Sequence, residues 1–425
     1  MKTWNADPVG VRHVMCIGDS ITLGTADLPL HSKGIREGWV EQIARALDHA
    51  TGPRPGDGYR GTWRVTEWTR EGTWARTQPT DPFDVAPFGQ GHYSPGAEVD
   101  TFTWGKSAAL TVAAFDLYWF HMPGVGNWQF RVDDGEWVNI GPTLADDNRR
   151  LLVRHVTQPV HERVEIHGSD GRAPCIATIA GIGVYAIEPQ PASGTIVHNL
   201  GFHQLQLDRF CRSSVGDPFA LLDDLQPAAV TVMFSNDVLL RKPDRFDTQL
   251  RALVERARRY ADVLIMSPYE QRAPRPVHDA AITAGSATLH SDAAAFVDSD
   301  AGWAIGGPGI DEKCTIAAVV SPAEVRLSRP ATVTATRADV TIGRGREVEM
   351  QTEYRAVAKR VAESTGCGYL DLCAEWAKVT GGGWDAAYAY GLMSDRLHTT
   401  QRGYDDIAAR VAAWFGLDLV TDRDL

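Results

Sequence analysis

The sequence predicts an α/β protein: a parallel, doubly wound sheet whose chain is interrupted twice by all-β segments. Three observations carry this expectation. Short apolar strands alternate with amphipathic helices near the start, in the middle and at the end of the chain. The first strand ends in a small-residue turn that leads to a helix. Two windows, residues 95–188 and 286–346, lose the helical period altogether.

The first strand is read at residues 11–17, apolar and ending in Gly18-Asp19-Ser20. A helix follows over 38–50, with Trp39, Val40, Ile43, Ala44 and Leu47 at helical spacing. Between 95 and 188 the candidate strands are 115–120, 129–132, 136–140, 163–167 and 178–187. Asp133-Asp134-Gly135 marks a hairpin between the second and third of these. The α/β rhythm resumes with a strand at 195–199, a helix through 205–211, a strand at 229–235, a long helix at 245–260 and a strand at 261–267. Short strand candidates at Ile310, 316–320, 325–327 and 340–342 mark a second β module. A helix at 347–364, a strand at 369–372 and a last helix at 400–415 complete the chain. The α/β domain is therefore expected in three pieces, 1–94, 189–285 and 347–425, with β inserts at 95–188 and 286–346.

A chain of 425 residues with 44% hydrophobic and 23% charged residues has globular composition. Its net charge of −12 argues against a nucleic-acid backbone as partner. No apolar run reaches the roughly 20 residues that span a bilayer, and residues 1–8 lack a secretory signal. The expectation is a protein that stays where it is made, in the cytoplasm, or leaves without a cleaved signal. The six cysteines form no C-x-x-C pair and read as buried thiols.

Ser20 follows a strand and precedes a helical start, which exposes its hydroxyl at the sheet edge. Asp395 and His398 stand three residues apart before the final helix. That spacing lets a carboxylate hold one imidazole nitrogen while the other faces a distant serine. Asn236, just past the strand at 229, offers an amide to a developing oxyanion. Each also has a plainer reading: turn chemistry for Gly-Asp-Ser and Asn236, a loop cap for Asp395, a surface residue for His398.

Taken in order, Gly18-Asp19-Ser20-Ile21-Thr22, Ser235-Asn236-Asp237 and Asp395-x-x-His398 resemble the blocks of the SGNH (GDSL-like) hydrolase family. The resemblance covers the α/β portion. It implies a flavodoxin-like, three-layer α/β/α sheet and an acyl-enzyme mechanism that requires no metal or organic cofactor. It makes Ser20 the nucleophile, His398 the base and Asp395 the orienting carboxylate. The oxyanion hole would draw on Ser20, Asn236 and either Gly201 or Gln204. Two departures stand out: Phe234 takes the place of a glycine, and the second block, Asn-x-Gly-x-x-Gly in the family, keeps Asn199 and Gly201 but has Gln204 in place of its last glycine.

The resemblance points to deacylation, most simply deacetylation, of a surface or cell-wall glycan, with a lipid esterase or thioesterase as a close variant. The first insert is similar to β-sandwich modules of glycan-directed esterases, with Trp104, Trp119, Trp128 and Trp137 as sugar-platform or core residues. Residues 62–88, with Trp63, Trp68 and Trp74 among arginines, are read as a long loop walling the acyl site. The second insert resembles a β module of bacteriophage tail proteins, which implies a virion setting and tail-protein partners. A non-catalytic host-binding tail protein on the same fold is the reading from a different class.

Overall fold

The computed structural model describes residues 11–24, 37–52, 56–61, 68–71, 75–76, 92–93, 101–105, 112–121, 128–139, 150–168, 179–186, 194–202, 205–211, 217, 219–240, 242–269, 275–311, 314–343, 347–394 and 397–419. They form two compact units. The first comprises Met1–Pro268, Val357–Leu372 and Thr400–Leu425; the second comprises Tyr269–Ala356 and Cys373–Thr399.

The first unit is built on a five-stranded sheet. Its strands are β1 (Val11–Gly18), β2 (Gly194–Gly201), β3 (Ala229–Met233), β4 (Asp262–Ser267) and β5 (Gly368–Asp371). All neighbours pair in parallel, in the order β2-β1-β3-β4-β5. This is the flavodoxin-like order, and the chain has the expected three-layer α/β/α fold interrupted by β inserts. All five residues of β3 are buried, as are consecutive residues Val14, Met15, Cys16 and Ile17 of β1. Burial on both parities means that both sheet faces are covered, which is why these strands read as continuous apolar runs.

Helix α1 (Ser20–Leu23) leaves β1 directly, and α2 (Trp39–Thr51) follows. In α2 the apolar positions Trp39, Val40, Ile43, Ala46 and Leu47 form one buried stripe. Helices α3 (Leu207–Cys211), α4 (Ala220–Leu225) and α5 (Pro243–Ala257) belong wholly to this unit, and α6 (Glu347–Thr365) is divided between the two units. The last helix of the chain, α9 (Gln401–Phe415), starts on Thr400, whose hydroxyl accepts from the Gly403 N–H, and stops at Gly416 in the left-handed region. Gln42 of α2 donates to Asp405 of α9 at 2.9 Å, and Gln401 and Glu37 exchange two further bonds at 3.0 Å.

The first insert consists of two antiparallel sheets. Phe115 of strand Val112–His121 meets Phe130 of strand Trp128–Val132 edge-on, with centroids 6.0 Å apart. The hairpin at Asp133-Asp134-Gly135 forms as expected, with Asp133 at φ 51°. Its carboxylate takes the N–H groups of His161, Glu162 and Arg163. The pairing reaches back beyond residue 95: Gly56–Gly61 pairs with Ile179–Ala186, and Trp68–Glu71 with Thr101–Gly105. Part of the stretch read as a loop, 62–88, is thus strand. Its own sequence has no clean alternation, and the register comes from its distant partners. Trp128 is a core residue. Trp137 lies parallel to His167 at 3.6 Å with the Arg131 guanidinium 4.7 Å from its ring. The side chains of Trp104, Trp119 and Cys175 lie outside the described residues.

The second unit holds a six-stranded antiparallel sheet around Val277, Ile282, Leu289, Phe296, Ile316 and Val340. It begins at Arg275–Ile282, earlier than the break in helical period suggests. Register shifts between Val277 and Ile282 blur the alternation that would announce this strand. Helices α7 (Leu372–Thr380) and α8 (Trp384–Ala389), absent from the sequence reading, are joined by three successive glycines with positive φ. Among the described residues five cysteines form no disulfide: Cys16, Cys314 and Cys373 are buried, Cys211 and Cys367 only partly so. No described helix is long and apolar enough to cross a membrane.

Candidate active site

Strand register assembles the first three elements of the site. Gly18, the last residue of β1, stands opposite Gly201 at the end of β2 and Met233 at the end of β3. Ser20, Gly201 and Asn236 therefore emerge at the carboxyl ends of three adjacent parallel strands. In this strand order the crevice between β1 and β3 is the topological switch point, where open α/β sheets bind their ligands.

The backbone there is too tight for side chains. A Cβ on Gly18 would sit 2.2 Å from Thr22 Oγ1 and 2.4 Å from the Met233 carbonyl oxygen. A Cβ on Gly201 would sit 2.0 Å from the Leu23 nitrogen. The turn carrying Ser20 is thereby pressed against both neighbouring strand ends.

Asp19 organises the turn. It is fully buried, and as N-cap of α1 its Oδ1 accepts the Ile21 N–H at 3.0 Å. Its Oδ2 accepts the Ser235 N–H at 2.6 Å, the Ser235 hydroxyl, and the Asn236 side-chain amide at 3.4 Å. One carboxylate thus ties the Ser20 turn to the Asn236 loop. Sequence reasoning assigned Asp19 no role, because the partners that tie it to the Asn236 loop lie more than 200 positions away. Ser20 and Asn236 themselves are largely buried, at 2% and 6% exposure.

Asn199 fixes the second block. Its Oδ1 accepts the Gly201 N–H at 3.0 Å, and its amide donates to the Leu23 carbonyl at 3.1 Å and to Glu41 at 3.2 Å. The Gly201 N–H, one of two sequence candidates for an oxyanion donor, is therefore already engaged. The other candidate, Gln204, lies outside the described residues.

Behind Asn236, the Asp237 carboxylate accepts the Leu207 N–H at 2.8 Å and the Asp208 N–H at 3.3 Å at the start of α3. Burial, reinforced by the neighbouring Asp19 carboxylate, pushes Asp237 up to about 7. Phe234 points into the core, buried with its ring centroid 6.2 Å from that of Phe210. The departure from glycine at this position thus has a packing outlet.

His398 belongs to the second unit, in a loop half-buried against its own surroundings. Met393 and Thr399 close this loop as an antiparallel bridge, and the Ser394 N–H and hydroxyl both donate to the His398 carbonyl, at 2.9 and 3.0 Å. Tyr269 donates its hydroxyl to the carbonyl of Leu397. Asp395 lies outside the described residues.

No family profile matches the chain, and no curated protein matches its sequence. Solved structures do. A peptidoglycan O-acetylesterase superimposes over 98% of this chain and 94% of its own, with a TM-score of 0.57 at 14% identity. An acetylxylan esterase from Geobacillus stearothermophilus covers 56% of this chain and 78% of its own at 14% identity, with a TM-score of 0.29. A GDSL-like lipase from Bacteroides ovatus covers 76% and 86% at 9% identity, with a TM-score of 0.28. The last two scores are too low to carry weight. The first shows that the chain shares the fold of a peptidoglycan O-acetylesterase along nearly its whole length.

Proposed function

We propose that the chain is a serine carboxylic-ester hydrolase that removes acetyl groups from a cell-surface or cell-wall glycan. One observation carries the reading: the register of β2, β1 and β3 brings Ser20 and Asn236 to one switch point, and the buried Asp19 carboxylate bonds the two loops together. The fold shared with a peptidoglycan O-acetylesterase supports acetyl as the acyl group.

In this mechanism His398 removes the proton from Ser20 Oγ as that oxygen attacks the acyl carbon. The Ser20 N–H and the Asn236 amide stabilise the oxyanion, and Asp395 orients the imidazole. His398 then protonates the departing sugar oxygen, which leaves as the free hydroxyl, and water attacks the acyl-enzyme by the reverse relay. With the Gly201 N–H engaged by Asn199, the donor from the second block is the Gln204 N–H. His398, Asp395 and Gln204 enter on the sequence pattern alone. So does a virion setting, which detection of the chain in purified phage particles would test.

The test is labelling with a fluorophosphonate probe, followed by acetate release from O-acetylated peptidoglycan. Wild type should label, and Ser20→Ala and His398→Ala should not. Absence of labelling in folded wild-type protein would refute the activated serine.

A further inference from the structure

We propose that Tyr269 is a positioning residue for His398, an inference that rests on the reading of His398 as the base. Tyr269 follows Pro268, two residues past the end of β4, and is almost completely buried although it carries a hydroxyl. Its ring lies parallel to Trp376 of α7, 4.7 Å between centroids and 8° between planes. Stacking needs only the ring. The hydroxyl reaches the carbonyl of Leu397, the residue before His398 and 128 positions away in the chain.

The adjoining carbonyl, that of His398, is held by the Ser394 N–H and hydroxyl. Two consecutive carbonyls therefore have fixed donors, on a loop whose ends are closed by the Met393–Thr399 bridge. Pinning both peptide planes removes most of the backbone freedom at His398 and leaves the imidazole its side-chain torsions. A general base must meet its proton within hydrogen-bond reach, so backbone drift at this residue translates directly into lost turnover. Trp376 sets the height and tilt of the tyrosine ring, and the ring sets the hydroxyl.

The experiment compares wild type, Tyr269→Phe and His398→Ala, with p-nitrophenyl acetate as substrate and amide hydrogen exchange at Ser394 as a second reading. Phenylalanine keeps the stack on Trp376, so the variant should fold. Its kcat should fall about tenfold, the worth of one intramolecular hydrogen bond, with KM unchanged. Exchange at the Ser394 amide, whose acceptor is the His398 carbonyl, should accelerate by a similar factor. Wild-type kcat in Tyr269→Phe while His398→Ala is inactive overturns the proposal alone. Wild-type turnover in His398→Ala overturns the base assignment, and the proposal with it.

Discussion

Replacing Asp19 with asparagine probes the tie between the Ser20 turn and the Asn236 loop at constant shape. The amide offers one acceptor where the carboxylate offers two. If its oxygen faces Ser235, the NH2 confronts the Ile21 N–H and the N-cap bond is lost, at a cost of about 1 kcal/mol. If it is flipped, the bonds from Ser235 are lost instead; hydrogen bonds to a charged acceptor are worth roughly 1.5–3 kcal/mol each. The first orientation is cheaper and prevails. In that orientation the two Ser235 bonds survive at neutral rather than charged strength, forfeiting about 1 kcal/mol apiece. Relief of burying a carboxylate beside Asp237 offsets part of this, leaving a net loss of about 2 kcal/mol. Urea unfolding with linear extrapolation measures the loss, and fluorophosphonate labelling of Ser20 reports whether the turn keeps its pitch. Labelling should slow by at least tenfold. Stability within about 0.5 kcal/mol of wild type, with unchanged labelling, would refute the view that this carboxylate holds the two loops together.

Four further outcomes are expected. Gly201→Ala places a methyl against the Leu23 backbone, which has no flexible side chain to yield; overpacking should cost about 1–3 kcal/mol and abolish labelling, both readable on purified protein. Phe234→Gly introduces the glycine of the SGNH block that this segment resembles but empties a buried aromatic site, so thermal denaturation should show a loss of about 3–5 kcal/mol with no gain in turnover. Asp237, held at about 7 against 3.8 for the free group, contributes stability that is complete below about pH 4 and is lost as pH rises through 7. That component is on the order of 4 kcal/mol, and Asp237→Asn should flatten the stability profile between pH 4 and 7 in urea titrations. His13 and His198 act in the opposite sense. Their rings share a hydrogen bond at 2.9 Å, and burial lowers both affinities for protons, so their contribution stands above pH 6.5 and is lost on acidification. His13→Gln should reduce the slope of stability below pH 6.5; an unchanged slope would assign the acid sensitivity elsewhere.

Legibility followed the range of the interactions. Gly18-Asp19-Ser20, Asn199-x-Gly201 and Ser235-Asn236-Asp237 stand out because turns and strand ends depend on neighbours a few positions away. Trp39 to Leu47 and the final helix declare themselves by the same local periodicity. The strand pairing of Trp68–Glu71 and the strand at Arg275–Ile282 were hidden, one lacking alternation and the other broken by register shifts. The bond from Tyr269 to the loop before His398 was invisible for a related reason: nothing about a tyrosine after Ser267-Pro268 points to a carbonyl 128 residues on.

By itself, then, the sequence determined the class of each well-patterned element, the order of the three blocks and the identity of Ser20 and Asn236 as strand-end residues. Tertiary structure alone decided the engagement of the Gly201 N–H by Asn199, the turn of Phe234 into the core and the use of Asp19 as a tie. The physical reason is that periodicity is written within one or two turns of chain, whereas a buried donor or acceptor takes whichever partner the packing brings to it. For Asp19 that partner is Ser235, 216 residues away.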